Sequence, residues 1–166
     1  MRKQVLGLLV VSLLTACGDT VTNPPTPSAN LTATGDGTLV VHPSINPSFA
    51  VAVETPLRVT ETAGGSANWN YARMAFFRNG TETERSEIGA TALQASGFGR
   101  IGARSNQIYK LIFRFNSSDF DRVDITLGFG DAKDGRAITV LVPLETFKDV
   151  GLDLTPASLR WSKLPL

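Results

Sequence analysis

Apolar side chains recur at every second position over most of the chain beyond residue 37, the period of strands with one buried face. The clearest runs lie late in the sequence. Tyr109, Leu111, Phe113 and Phe115 alternate with Lys110 and Arg114. Val123, Ile125, Leu127 and Phe129 alternate with Asp124, Thr126, Gly128 and Gly130, and Ile138, Val140, Val142 and Leu144 alternate with Ala137, Thr139 and Leu141. Between the last two runs, Asp131-Ala132-Lys133-Asp134-Gly135 has the composition of a hairpin loop.

The earlier part is less regular. Thr38-Leu39-Val40-Val41-His42 is a short strand ended by Pro43 and the turn signal Asn46-Pro47. Phe49-Ala50-Val51-Ala52-Val53 and Leu57-Arg58-Val59-Thr60-Glu61 follow, interrupted by Pro56. A proline cannot donate to a ladder, so an edge strand, or two strands split by a bulge, is expected here. In residues 67–78 the apolar set changes parity: Trp69 and Tyr71 share one face, and Ala72, Met74 and Phe76 the other. A bulge between Tyr71 and Ala72 would turn all five inward. Asn79-Gly80 is a strong hairpin signal, so Thr81-Glu82-Thr83-Glu84-Arg85 is expected to return antiparallel as a charged edge. Residues 88–104 read as loop with one helical turn at Thr91-Ala92-Leu93-Gln94. A second turn is expected at Glu145-Thr146-Phe147-Lys148-Asp149, and Leu152-Asp153-Leu154 and Ser158-Leu159-Arg160-Trp161 offer a short terminal strand.

About seven short strands with turn signals between them imply an all-β domain over residues 37–166, an antiparallel β-sandwich of immunoglobulin-like or fibronectin-III-like kind. A small β-barrel or jelly roll is the alternative. The single cysteine, Cys17, removes the antibody-type disulfide.

Residues 17–36 carry the opposite pattern. Pro, Thr, Ser and Asn dominate Thr20-Val21-Thr22-Asn23-Pro24-Pro25-Thr26-Pro27-Ser28-Ala29-Asn30, with too little apolar surface to offset the entropy of ordering. A disordered tether is expected, reaching roughly 50 Å at polyproline spacing.

Before it stand the positive Arg2 and Lys3, an apolar run from Val5 to Leu14, and Leu14-Thr15-Ala16-Cys17. The apolar run falls short of the ~20 residues that span a bilayer. The segment resembles the signal of bacterial lipoproteins, whose lipobox is written here as Leu14-Thr15-Ala16-Cys17. The resemblance covers residues 1–17. It implies cleavage after Ala16, diacylglycerol on the Cys17 thiol, acylation of the new amino group, and a domain held on the extracytoplasmic side of an outer or cell membrane. Two or more acyl chains anchor firmly where one holds marginally. Cleavage would remove Arg2 and Lys3, leaving 14 basic against 15 acidic residues and a net charge of −1. So balanced a surface offers no footprint for nucleic acid.

Candidate chemistry is sparse. Trp69 and Tyr71, flanked by Asn68 and Asn70 and joined by Trp161 or Phe98, could form an aromatic platform for a glycan; the competing reading makes Trp69 the core tryptophan of the sandwich. Asp119, Asp121 and Asp124 place oxygens within one short stretch, a weak calcium candidate broken by Arg122. His42 is the only histidine, and no Gly-x-Ser-x-Gly elbow accompanies it. Gly97-Phe98-Gly99-Arg100-Ile101-Gly102 matches the dinucleotide fingerprint without its strand–helix context. No catalytic residue, cofactor or firm metal site is assigned. The expectation is a non-enzymatic envelope lipoprotein that binds another envelope protein or a glycan, with a small hydrolase built on His42 as the remote alternative.

Overall fold

The computed structural model describes residues 24–117 and 120–152. The period-two pattern becomes two packed sheets. Strands β1 (Leu31–Gly35), β2 (Thr38–Pro43), β3 (Val51–Glu61), β7 (Asn106–Phe115) and β10 (Asp149–Leu152) form one. Strands β4 (Ala67–Arg78), β5 (Thr81–Gly89), β6 (Arg100–Ile101), β8 (Arg122–Asp131) and β9 (Ala137–Val142) form the other. Neighbours pair antiparallel except β10, which runs parallel to β2. The protein is an all-β sandwich.

In the first sheet β3 is central. Its whole length pairs with β7, while its other side pairs with β2 over Val51–Glu54 and with β1 over Leu57–Glu61. In the second sheet β5 and β6 share one side of β4, and β8 then β9 follow on the other. The core between the sheets is aromatic at both ends. Phe76 stacks on Phe115 at 3.6 Å between ring centroids, and Trp69 packs against Phe129 at 4.5 Å and Tyr109 at 5.1 Å.

Three sequence expectations change. Pro56 sits in the middle of the central strand, not at an edge. Its ring nitrogen faces the gap where β2 has ended and β1 begins, so no ladder bond is lost, and its carbonyl accepts Asp36 N–H at 3.0 Å. The tether is shorter than residues 17–36. Leu31 and Ala33 point into the core from β1, Ala29 is buried, and the carboxylates of Asp131 and Glu61 accept the N–H groups of Ala29 and Asn30. Thr32 and Thr34 occupy the polar face, so a strand hides in a stretch whose composition resembles a linker.

The third change is the bulge in β4. The register with β8 slips between Trp69 and Tyr71, so Asn70 is the extra residue, one place earlier than expected. Ala67, Trp69, Ala72, Met74 and Phe76 all face the core, and Tyr71 turns to the outer face.

Elsewhere the expected elements form with shifted bounds: β5 runs on to Gly89 and β6 lies inside the stretch expected as loop, while the second turn falls earlier than Glu145–Asp149, whose last residue begins β10. Asn79 and Gly80 both have positive φ, 51° and 78°, as a type I′ hairpin requires. The helical turn is α1 (Ala90–Ala95), and a 3-10 turn follows β9 at Leu144–Thr146.

Candidate functional site

The two carboxylates that hold the N-terminal segment are structural. Glu61, 2% exposed, accepts N–H groups from Asn30, Ala63, Gly64 and Arg104 at 2.7–3.1 Å. Burial alone would raise its pKa; the four N–H donors outweigh that and hold it below the usual glutamate range. Asp131 is likewise held low, chiefly by the Lys133 N–H and further by Ala29 N–H, against the opposing effect of burial.

Trp69 is 1% exposed and locked between Phe129 and Tyr109, so it is a core residue. The bulge at Asn70 points Tyr71 the other way, where its ring lies over Gly128 and carries the Arg73 guanidinium 4.9 Å from its centroid. The glycan platform of Trp69 and Tyr71 is therefore corrected: the two rings lie on opposite faces of one sheet. Trp161, Cys17 and Asp119 lie outside the described residues. Asp121 accepts Asn79 N–H at 2.7 Å and so caps the β4–β5 hairpin, while Asp124 pairs with Arg122 at 3.3 Å. Among the described residues no three His, Cys, Asp or Glu side chains converge as a metal site would require. Gly97 ends α1 and Arg100–Ile101 pairs with β4, which is no βαβ unit.

His42 lies on the outer face of the first sheet. Its Nδ1 is 2.9 Å from the Pro43 carbonyl and its Nε2 3.5 Å from Glu54 Oε1. Lys110 also grips Glu54, and this bond, before the Coulombic pull of Lys110 and His42, holds the Glu54 pKa down against burial. The nearby Ser44 hydroxyl accepts Asn46 N–H. Both ring nitrogens of His42 thus have partners other than a nucleophile, and the hollow beside it holds only about 90 Å³. The geometry gives no support to a hydrolase built on His42.

Among the described residues a wedge of about 310 Å³ lies between α1 and β7. That is the lower limit of ligand-sized pockets. Ile88, Leu93 and Phe98 line one side, and Lys110, Ile112 and Arg114 the other. Strands β5 and β7 belong to different sheets and converge at one end. There the Glu84 carboxylate accepts the N–H groups of Asn116 and Ser117 at 2.6 and 3.0 Å, and Ser86 Oγ accepts that of Arg114 at 3.2 Å. Beyond this clasp the hollow lies between Ile88, α1 and β7, with Leu93 buried at its inner side.

Phe98 meets Tyr109 edge-on at 5.0 Å, and Tyr109 meets Trp69, so the wedge wall is braced by an aromatic series running from the core. Sequence reasoning grouped Phe98 with Trp69 but missed the wedge, because it is made by residues from both sheets and from α1. The exposed Ile108 and Ile112, at alternate positions of an otherwise regular strand, were the available signal. No family model matches the chain, and no curated protein is similar to it in sequence.

Proposed function

We propose that this chain is a bacterial cell-envelope lipoprotein, acylated at Cys17, that presents an immunoglobulin-like β-sandwich as a non-enzymatic binding module. The observation that carries the reading is Leu14-Thr15-Ala16-Cys17 after a basic start and an apolar run, with Cys17 the only cysteine. A lone cysteine in an exported chain otherwise needs a partner. Ala29 is already buried in the domain, so only the short stretch between Cys17 and Ala29 is left to act as a spacer. The module would sit near the membrane surface.

The strand order supports the immunoglobulin-like reading. Counting β1 with β2 as strand A, β3 as B, β4 as C, β5 as C′, β7 as E, β8 as F and β9 as G gives A-B-E facing C′-C-F-G. Trp69 then occupies the buried position on strand C that such sandwiches favour. The test is fractionation of cells expressing the full chain, with and without globomycin, which blocks the lipoprotein signal peptidase, and with Cys17→Ala. Acylation predicts labelling of the parent by radioactive palmitate, accumulation of a larger unprocessed form under globomycin, and loss of the label in the Cys17→Ala variant. Absence of palmitate labelling in the parent, or labelling unchanged in Cys17→Ala, would refute the anchor.

A further inference from the structure

The geometry points to the free edge of β7 as a docking site for an extended peptide segment of a partner protein, which adds to the first sheet as a strand and lays apolar side chains in the wedge beside α1. This rests on the binding-module reading and names its site and the class of its partner.

The backbone carries the argument. The odd-numbered residues of β7 exchange bonds with β3, and the even-numbered amides point away from it, as those of Arg114 and Asn116 show by donating to β5 side chains. By the same alternation the N–H and C=O groups of Ile108, Lys110 and Ile112 face outward, and among the described residues nothing bonds to them. They repeat about every 7 Å along the edge, the spacing that a second strand matches. In four-stranded immunoglobulin-type sheets this edge of strand E carries strand D. Here the chain passes from β5 through α1 and β6 to β7 without supplying one.

The side chains specify the occupant further. Edge strands are ordinarily blunted by charge, as β5 is by Glu82, Glu84, Arg85 and Glu87. The open stretch of β7 instead shows Ile108 and Ile112, 56% and 38% exposed, and Ile112 lines the wedge opposite Ile88, Leu93 and Phe98. Its charges are Lys110, already paired with Glu54, and Arg114, whose guanidinium makes no ion pair among the described residues, so one positive charge on this stretch is left unmatched. A segment alternating apolar with acidic residues complements both features. A second copy of the chain paired antiparallel about Lys110 would set Lys110 against its own symmetry mate, which disfavours edge-to-edge dimers in that register.

The test adds a capped peptide of about seven residues, a usual strand length, alternating glutamate with valine around a central phenylalanine, to the full chain in detergent micelles. Amide exchange is followed residue by residue by NMR. The expected result is saturable binding with exchange at Ile108, Lys110 and Ile112 slowed at least about tenfold, while a peptide with lysine for glutamate has little effect. Ile112→Pro removes one outward N–H at an edge position where proline is tolerated and should weaken binding at least about tenfold. If that variant misfolds, Arg114→Glu carries the test and should weaken the acidic peptide alone. Failure of those three amides to slow at about 1 mM peptide, a weak-binding limit, overturns the inference. So does slowing that needs no peptide and grows with protein concentration, which would put a second copy on the edge. Slowing confined to another surface overturns the edge site and leaves the binding module standing. Because the peptide is supplied in solution, loss of the Cys17 anchor would not alter any of these outcomes.

Discussion

The two lateral sides of the sandwich are closed by different means. On one side, where β1 faces β9, the chain itself forms the seal. It leaves β9 through the 3-10 turn, lays Phe147 against Gly35, and returns to the first sheet as β10. Gly35 N–H donates to Thr146 Oγ1 at 2.6 Å, Lys148 N–H donates to the Gly37 carbonyl at 2.9 Å, and Asp131 fixes the incoming Ala29. On the other side, where β7 faces β5, the hydrogen bonds between the two strands among the described residues come from the side chains of Glu84 and Ser86, at one end, and further along the sheets meet through the Phe98–Tyr109 ring contact. Backbone continuity closes a whole edge; side-chain clasps close it where they reach. The remaining stretch of β7 is where this fold can accept another strand.

That contrast can be broken most severely on the sealed side. A Cβ on Gly35 would stand 2.6 Å from the Phe147 ring and 2.8 Å from its backbone nitrogen, so the backbone must move. Gly35→Val is expected to cost about 3 kcal/mol, as overpacking does, lowering Tm by roughly 6–12 °C for a domain of this size. Thermal unfolding followed by circular dichroism reads it directly.

The next effect is at Glu61. Its carboxyl is held below the unfolded value, so its contribution to stability is complete above about pH 5 and is lost as pH falls through the ordinary and then the depressed pKa. Urea midpoints should therefore decline on acidification. Glu61→Gln should cost about 2 kcal/mol at neutral pH, the scale of bonds to a charged acceptor, and should flatten the decline. A variant as acid-sensitive as the parent would remove Glu61 from the account.

Thr55 is a control that belongs to neither side. Its hydroxyl is buried in β3 and has no hydrogen-bond partner. Thr55→Val keeps the branched shape and should raise stability by about 1 kcal/mol, the penalty of an unmet buried polar group. The smallest effect is expected from Glu84→Ala, which opens the clasp. Stability should fall by less than about 1 kcal/mol, since the freed amides can turn to water, yet exchange at Asn116 and Ser117 should quicken.

Much of this architecture is legible in the sequence because alternation survives wherever a strand has one wet face. The inward sets of β7 and β8 read off correctly, and Asn79-Gly80 announces its hairpin. Local patterns failed where the decisive neighbour is distant. Pro56 is harmless in a central strand only because β2 and β1 leave a gap beside it. Leu31 and Ala33 give too little apolar signal to reveal β1, which is held by β3 and by the carboxylates of Asp131 and Glu61. The bulge was expected from the parity change in β4, but its placement at Asn70 depends on Tyr71 finding Gly128 beneath it. The wedge was invisible for the same reason: Phe98, Ile88 and Ile112 are far apart in sequence and meet only after the sheets pack.

The central claim is that one edge of this sandwich is closed by its own chain and another is left open for a strand. Residue-resolved amide exchange of the free protein tests it most directly. The account predicts that the amides of Ile108, Lys110 and Ile112 exchange nearly as fast as an unstructured chain, while those of Leu111, Phe113 and Gly35 are strongly protected. Equal protection of odd and even positions along β7 would show that its outer edge is already occupied, and would contradict the account.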